Sequence, residues 1–390
     1  MKKKVLFIED DQELANIYRN KLLLDGFETE VAGDAESGIE LLRQFQPDAV
    51  LLDPILTKKP GVEIIRRIRQ EPGRGLLPIL VLTNSHLTRM ARDVRDAGAT
   101  QCLSRTDCTP SAIVRTLRGI FESGNAGLPD PTGPASPQSG NRSPADETEA
   151  EFQTGLRKEL QRRWPGTLAW MRAILQGTFR VSGENLRALH ITQLFRPLHS
   201  LASNASIAGL RQVAQMASAL EALLAELHDK PRSIHTSTLR TAGAAIDFLG
   251  LLCKAGSLAE EREFVALVVD DEPTSRGAVT YALEKAKMKP VPVPDPFRAL
   301  QMLAGRSFDL IFLDANMRNV NGYELCGRLR ALPACKNTPV VFVTNLDDLE
   351  SRIDTALSGG NDFIAKPFLF IELTVKARVL AGRAHLMRDT

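Results

Sequence analysis

Adding 261 to a residue number in the first third of this chain lands on the matching residue in the last third. Glu9 maps to Asp270, Asp10 to Asp271, Asp48 to Asp309, Asp53 to Asp314, Gly61 to Gly322, Pro78 to Pro339, Thr83 to Thr344 and Gly98 to Gly359, in one unbroken register. Agreement at that many polar and glycine positions identifies an internal duplication, and whatever one copy folds into, the other must fold into as well. Each copy alternates short apolar runs, such as Val5-Leu6-Phe7-Ile8, Ala49-Val50-Leu51-Leu52 and Ile79-Leu80-Val81-Leu82, with amphipathic stretches. That alternation predicts a parallel sheet wrapped by helices, twice in one chain.

The material between the copies is of two kinds. Residues 122–150 are Gly, Pro, Ser, Asn and Asp with almost no large apolar side chain, a composition that cannot offset its own chain entropy and predicts a flexible linker. Residues 151–256 read as helical throughout, with apolar residues at three and four spacing in Leu210, Val213, Ala214, Met216, Ala217, Leu220, Leu223, Leu224 and Leu227. A shorter break near Lys254 to Glu263 precedes the second copy. The expected division is therefore an α/β domain at 1–121, the linker, an all-α bundle at 151–256 and a second α/β domain at 264–386. A length of 390 residues accommodates this comfortably.

Bulk properties exclude classes and name none. A net charge of +2 does not argue for nucleic acid or membrane. The Met1-Lys2-Lys3-Lys4 start resembles a signal n-region, but the apolar run Val5 to Ile8 is too short before Glu9, Asp10 and Asp11, and a cytoplasmic location is expected. No apolar stretch reaches the roughly 20 residues of a membrane span. The five cysteines lack C-x-x-C spacing and are read as free thiols.

Chemistry gathers where the apolar strands end. Glu9 and Asp10 follow the first strand and Asp53 the third; Asp270, Asp271 and Asp314 repeat the pattern. Three carboxylates converging on one sheet edge repel one another unless a hard cation sits among them, and all-oxygen ligation of that kind suits Mg2+. Thr83 and Thr344 close the fourth strands, and Lys366 follows the fifth strand of the second copy. A carboxylate nucleophile, a cation, a hydroxyl and an ammonium together can accept a phosphoryl group. A lone Asp in such a place is ordinarily a solvated loop residue or a helix cap; the joint arrangement, made twice, argues otherwise.

With Ile8-Glu9-Asp10-Asp11, Leu51-Leu52-Asp53 and Val81-Leu82-Thr83, and again Val268-Val269-Asp270-Asp271, Phe312-Leu313-Asp314, Phe342-Val343-Thr344 and Ala365-Lys366-Pro367-Phe368, the sequence resembles the receiver domains of bacterial response regulators over residues 3–121 and 264–386. The resemblance implies two flavodoxin-like doubly wound domains of five parallel strands, with Asp53 and Asp314 as phospho-acceptors. It implies Mg2+ held by Glu9, Asp10 and Asp53 with the carbonyl of Ile55, and by Asp270, Asp271 and Asp314 with the carbonyl of Asn316. The copies depart from the family unequally. The first has Arg105-Thr106 where the second has Lys366-Pro367, and Cys102 where the second has the aromatic Phe363; both carry Asn (Asn84, Asn345) after the threonine. Arg keeps the charge of Lys but spreads it over a wide planar fork.

In the helical middle, His199 precedes a run of small residues, Ala202-Ser203-Asn204-Ala205-Ser206, and then Gly209. A lone histidine is ordinarily a surface or core-edge residue. Its context resembles the histidine phosphotransfer domain, whose motif is matched by Leu201 and Gly209, with Ala202 and Ser203 standing where that family has Lys and Gly. This implies a four-helix bundle and a phosphorylatable His199. The leading expectation is a phosphorelay protein passing a phosphoryl group among Asp53, His199 and Asp314, an autocatalytic phosphotransfer and not an enzyme turning over a metabolite. With no G-x-x-x-x-G-K-[ST] loop in the chain, the donor is expected to be a separate sensor histidine kinase, and other receiver or phosphotransfer proteins are expected partners. The alternative keeps Asp314 as sole acceptor, with the first copy and the bundle as docking modules. A DNA-binding output is weighed because Arg and Lys outnumber acids in the middle piece; their scatter over several helices argues against it, and homodimerisation stays open.

Overall fold

The computed structural model describes residues 2–56, 61–83, 89–104, 110–123, 144–181, 183–255, 263–318, 320–345 and 359–387. Two five-stranded sheets are present, each with every pairing parallel. The first copy holds β1 (Lys4–Ile8), α1 (Gln12–Leu24), β2 (Glu28–Ala32), α2 (Ala35–Phe45), β3 (Ala49–Leu52), α3 (Gly61–Gln70), β4 (Ile79–Thr83), α4 (Arg89–Asp96), β5 (Gln101–Ser104) and α5 (Pro110–Ser123). Four helices follow: α6 (Pro144–Arg180), α7 (Glu184–Ile207), α8 (Arg211–Asp229) and α9 (Thr236–Ala255). The second copy holds β6 (Val265–Val269), α10 (Pro273–Lys285), β7 (Lys289–Val293), α11 (Pro296–Gly305), β8 (Leu310–Asp314), α12 (Gly322–Arg330), β9 (Val340–Asn345), β10 (Asp362–Lys366) and α13 (Phe370–Leu386). Strand orders β2-β1-β3-β4-β5 and β7-β6-β8-β9-β10 are the flavodoxin-like winding, as expected.

The chain separates into two compact units, residues 1–163 with 197–218 and residues 164–196 with 219–390. Of the segment expected as a helical bundle, 151–256, residues 151–163 and 197–218 fall in the first unit and the rest in the second. Within the stretch expected as linker, 122–150, α5 runs through Ser123 and α6 starts at Pro144. Residues 124–143 lie outside the described residues.

In the first unit, alternate side chains of the strands serve opposite faces. Val5 and Phe7 of β1 pack with Leu14 and Tyr18 of α1 and Ile113 and Leu117 of α5, while Leu6 and Ile8 pack with Ile39 of α2 and Ile64 and Ile68 of α3. Burial on both faces is why β1 reads as an unbroken apolar run. Ile207 of α7 joins the α1/α5 layer, with Leu156 of α6 packed against it. These two residues of the helical segment thus contribute to the first receiver's core.

The second unit repeats the plan, with α10 and α13 on one face of the sheet and α11 and α12 on the other. Among the described residues, strand β7 pairs only with β6 and carries Pro290 and Pro292 two residues apart, a pattern tolerated at an edge and hostile to pairing with another chain. Helix α9 packs along α13, where Glu372 is fully buried. Burial holds the Glu372 carboxyl above the ordinary range, against lesser lowering from the Ser237 hydroxyl, the Lys376 charge and the Thr241 hydroxyl; the neighbouring Asp362 charge raises it further. A carboxyl whose folded pKa exceeds its unfolded one contributes stability below the unfolded value that is lost as pH rises through the folded value. Urea unfolding of Glu372→Gln should therefore lose that fall in stability above the ordinary Glu range, since the neutral amide has no proton to give up. A wild-type-like fall in the variant would contradict this.

Candidate functional site

Both copies bring their acidic residues to the carboxyl ends of the central strands, where open α/β sheets place their ligands. In the second, Asp314 ends β8 and is buried, and carboxylate oxygens of Asp270, Asp271 and Asp314 all lie within 4.8 Å of one another. Asp270 is fixed by the Glu272 N–H at 2.8 Å and the Ser275 hydroxyl at 2.5 Å, and Asp271 accepts from the Arg318 N–H at 3.1 Å. Lys366, at the end of β10, places Nζ 3.0 Å from Asp314 Oδ1 and 3.6 Å from Asp270 Oδ2. One ammonium among three carboxylates leaves the cluster short of positive charge. Burial holds the Asp314 carboxyl above the ordinary range, opposed by the Lys366 hydrogen bond and charge and aided by the Asp270 charge. Thr344 closes the neighbouring strand; its buried Oγ1 has no hydrogen-bond partner among the described residues. An all-oxygen donor set with unbalanced charge fits Mg2+, and the Thr344 hydroxyl is a donor awaiting an acceptor.

Gly322 shapes this loop. Its N–H donates to the Ala315 carbonyl at 3.0 Å, and a side chain there would overlap the Asp314 carbonyl. Gly61 has the same constraint in the first copy, where an added Cβ would meet the backbone of Pro54 at 2.6 Å.

The first copy is differently occupied. Asp53 is fully buried; its Oδ1 accepts from the Ile55 N–H at 2.8 Å, and its Oδ2 accepts from His199 Nε2 at 2.9 Å. Next to His199, the Ser200 hydroxyl donates to Asp11 Oδ2 at 3.0 Å, and Asn204 Nδ2 donates to Ser200 Oγ at 3.2 Å. Glu9 is buried and accepts from the Asp11 N–H at 3.2 Å, Asp10 is half-buried, and Thr83 is buried at the end of β4. Both Asp53 oxygens thus have partners, one of them the imidazole, where the sequence pattern predicts a cation. Arg105, Thr106 and Asn84 lie outside the described residues.

A model of the response regulator receiver domain matches residues 5–118 and again 266–378, together more than half of the chain. The chain belongs to the response regulator receiver family. It is 30% identical over 115 residues to protein PilG of Pseudomonas aeruginosa, a match covering 29% of this chain and 85% of PilG. It is 31% identical over 124 residues to the transcriptional activator protein IrlR of Burkholderia pseudomallei, covering 32% of this chain and 53% of IrlR, so the match spans about half the length of such relatives. Among solved structures it is similar to the Francisella response regulator 1452 receiver domain (28% identity, TM-score 0.29, 31% of this chain and 98% of that one). It is also similar to the chemotaxis response regulator CheY4 of Vibrio cholerae (23%, TM-score 0.29, 30% and 98%). No helix among the described residues is long and apolar enough to cross a membrane.

Receiver domains at both ends leave the middle segment to be read from its contacts. Ala202 and Ser203, which stand where a phosphotransfer motif has Lys and Gly, are both fully buried in α7, so a lysine at 202 would have no room for its stem. Sequence reasoning missed a repeated clamp. Arg69 donates to the carbonyls of Gly98, Arg74 and Leu77, and Arg330, at the matching position, donates to those of Gly359, Cys335 and Thr338. The register of 261 would have revealed it. Gly98 and Gly359 sit at φ of +105° and +85°, which explains their repetition as glycine.

Proposed function

We propose that this response regulator is a phosphorelay protein in which His199 and Asp53 form an intramolecular phosphotransfer pair and Asp314 is a second, complete acceptor. The observation that carries the reading is the 2.9 Å approach of His199 Nε2 to Asp53 Oδ2, both buried, from residues 146 apart in sequence. In the resting pair Nε2 carries the proton that Asp53 accepts. With a phosphoryl group on Asp53, the neutral imidazole with its proton on Nδ1 presents the Nε2 lone pair to phosphorus. The N–P bond forms, the P–O bond breaks with its electron pair left on the carboxylate, and Nδ1 keeps its proton. The Ser200–Asp11 hydrogen bond and the apolar seat of Ile207 hold α7 in place for this exchange.

Mg2+, when bound, neutralises the carboxylates and polarises phosphoryl oxygens. Asp270, Asp271, Asp314 and the Asn316 carbonyl are its proposed ligands in the second receiver, and Glu9, Asp10, Asp53 and the Ile55 carbonyl in the first once His199 withdraws. Lys366 and the Thr344 hydroxyl would receive the added charge on Asp314, and Thr83 that on Asp53, with Arg105 the corresponding cation. The phosphoryl donor is a separate histidine kinase or a small acyl phosphate in the cytoplasm, and the protein does not turn over a metabolite.

A second reading is favoured by the engaged Asp53 carboxylate and the alanine at 202: Asp314 is the sole acceptor, and the first receiver is a docking module for α7. Supplying acyl phosphate and Mg2+ to the wild type, Asp53→Asn, His199→Gln and Asp314→Asn separates the two. The relay reading expects acid-labile label in the wild type and its loss in both Asp53→Asn and His199→Gln. Absence of acid-labile label in every protein, with the cognate kinase also present, leaves the docking reading.

A further inference from the structure

The glycine that follows α7 has two structural reasons to be glycine, and the second leads back to His199. Gly209 sits at φ +69°, in the left-handed region. Its N–H donates to the Ser206 carbonyl at 3.0 Å and the Leu210 N–H donates to the Ala205 carbonyl at 2.8 Å, which closes the helix and satisfies carbonyls of its last turn. Ala208, between Ile207 and this turn, is fully buried, so its carbonyl needs a donor from elsewhere. Arg157 of α6 supplies one, with Nε donating to the Ala208 carbonyl at 2.6 Å. A positive charge also suits the carbonyl end of a helix. The guanidinium lies over Gly209. A Cβ at 209 would meet Arg157 Nη2 at 2.9 Å and Oε1 of Gln153, one turn earlier on α6, at 3.5 Å.

The other directional hold on this part of α7 is beside the histidine. The Ser200 hydroxyl donates to Asp11 Oδ2 at 3.0 Å, and Asp11 is itself anchored, because its Oδ1 accepts from the Leu14 N–H at 3.2 Å in the first turn of α1. One such bond leaves a helix free to turn about its own axis, and the apolar seat of Ile207 has no direction. Ala208 lies eight residues beyond Ser200, about 12 Å along a helix, and two directional bonds that far apart fix both slide and rotation. Arg157 makes a firm anchor, since its neighbour Leu156 packs against the first receiver's core. We propose that Arg157 is a positioning residue for the His199–Asp53 pair, clamping the carbonyl end of α7 so that Nε2 is held against the carboxylate. The proposal rests on the pairing described above and adds a residue that touches neither reacting atom.

Loss of the guanidinium leaves the Ala208 carbonyl buried without its donor, and the helix end must shift toward water to satisfy it. The imidazole moves with the helix. A misplacement of about 1 Å can cost roughly 100-fold in a transfer that depends on orientation. The same shift uncovers His199, which the clamped helix keeps buried against Asp53.

Arg157→Met and Arg157→Lys in the full chain test this through two readouts. Carbethoxylation of His199 by diethyl pyrocarbonate, located by peptide mass spectrometry, should run at least about tenfold faster in Arg157→Met than in the wild type. Arg157→Lys, whose ammonium can donate to the same carbonyl, should restore much of the protection. With acyl phosphate and Mg2+, Arg157→Met should label Asp53 and Asp314 at least as fast as the wild type, while transfer from Asp53 to His199 slows by at least about tenfold. An arginine that only stabilises the fold would lower labelling of Asp53 and transfer together. Gly209→Ala should mimic Arg157→Met, and the double variant should transfer no more slowly than Arg157→Met alone, because both changes remove one clamp. Unchanged His199 reactivity in Arg157→Met would overturn the proposal, as would an unchanged transfer rate or a loss of Asp53 labelling in step with transfer. A wild type without acid-labile label, in which Arg157→Met still uncovers His199, would remove the relay and leave the clamp standing.

Discussion

Asp314→Asn is expected to abolish alkali-labile labelling of the second receiver, because the amide lacks the charge and the second nucleophilic oxygen. Lys366→Met should lower the labelling rate by about 100-fold or more, the usual consequence of removing a preorganised donor from developing charge. The same variant should bind Mg2+ more tightly, since it deletes an ammonium that lies 3.0 Å from Asp314 and 3.6 Å from Asp270 and would compete with the cation for them. Opposite movements of rate and metal affinity distinguish a lysine that stabilises the transferred group from one that only holds the loop. Parallel losses of both, measured by label incorporation and by Mg2+ titration of a fluorescent probe, would assign Lys366 a structural role. Chelation of Mg2+ should leave all variants unlabelled.

The second large effect is on stability. Lys376 and Asp362 form a 2.6 Å pair whose lysine side chain is 2% exposed. Removing one member of such a pair strands the other without water, which costs about 3 to 5 kcal/mol. Lys376→Met should destabilise the second unit by that amount in urea unfolding, with Arg240 at 3.7 Å as the remaining cation near Asp362. The double variant Lys376→Met with Asp362→Leu should recover most of the loss, because it deletes the stranded charge. A double variant no more stable than the single one would mean that Lys376 acts through packing of its stem.

The duplication explains how much of the fold and the site is legible in the sequence. Val5 to Ile8 and Ala266 to Val269 lie in central strands buried on both faces, so they read as unbroken apolar runs, and the carboxylates that end them are visible as breaks in those runs. Asp314, Asp270, Asp271, Thr344 and Lys366 can be placed at one sheet edge because strand order in a doubly wound sheet brings every strand end there. The helical middle is legible as helix, since the spacing of its apolar residues is a local property. Its packing partners are not, because Ile207 buries its side chain in the first receiver's core, a contact that no local spacing announces.

Sequence by itself determined the repeat, the two parallel sheets and the identity of the acidic residues at the strand ends, which follow from short apolar runs, helical periodicity and a fixed register, while the winding followed from the resemblance to receiver domains. Tertiary structure alone decided that His199 faces Asp53 and that α9 covers the face carrying Phe363, Glu372 and Lys376. Those pairings join residues far apart in the chain through side-chain fit and buried charge, and no local pattern encodes which of two similar receivers a helix will choose.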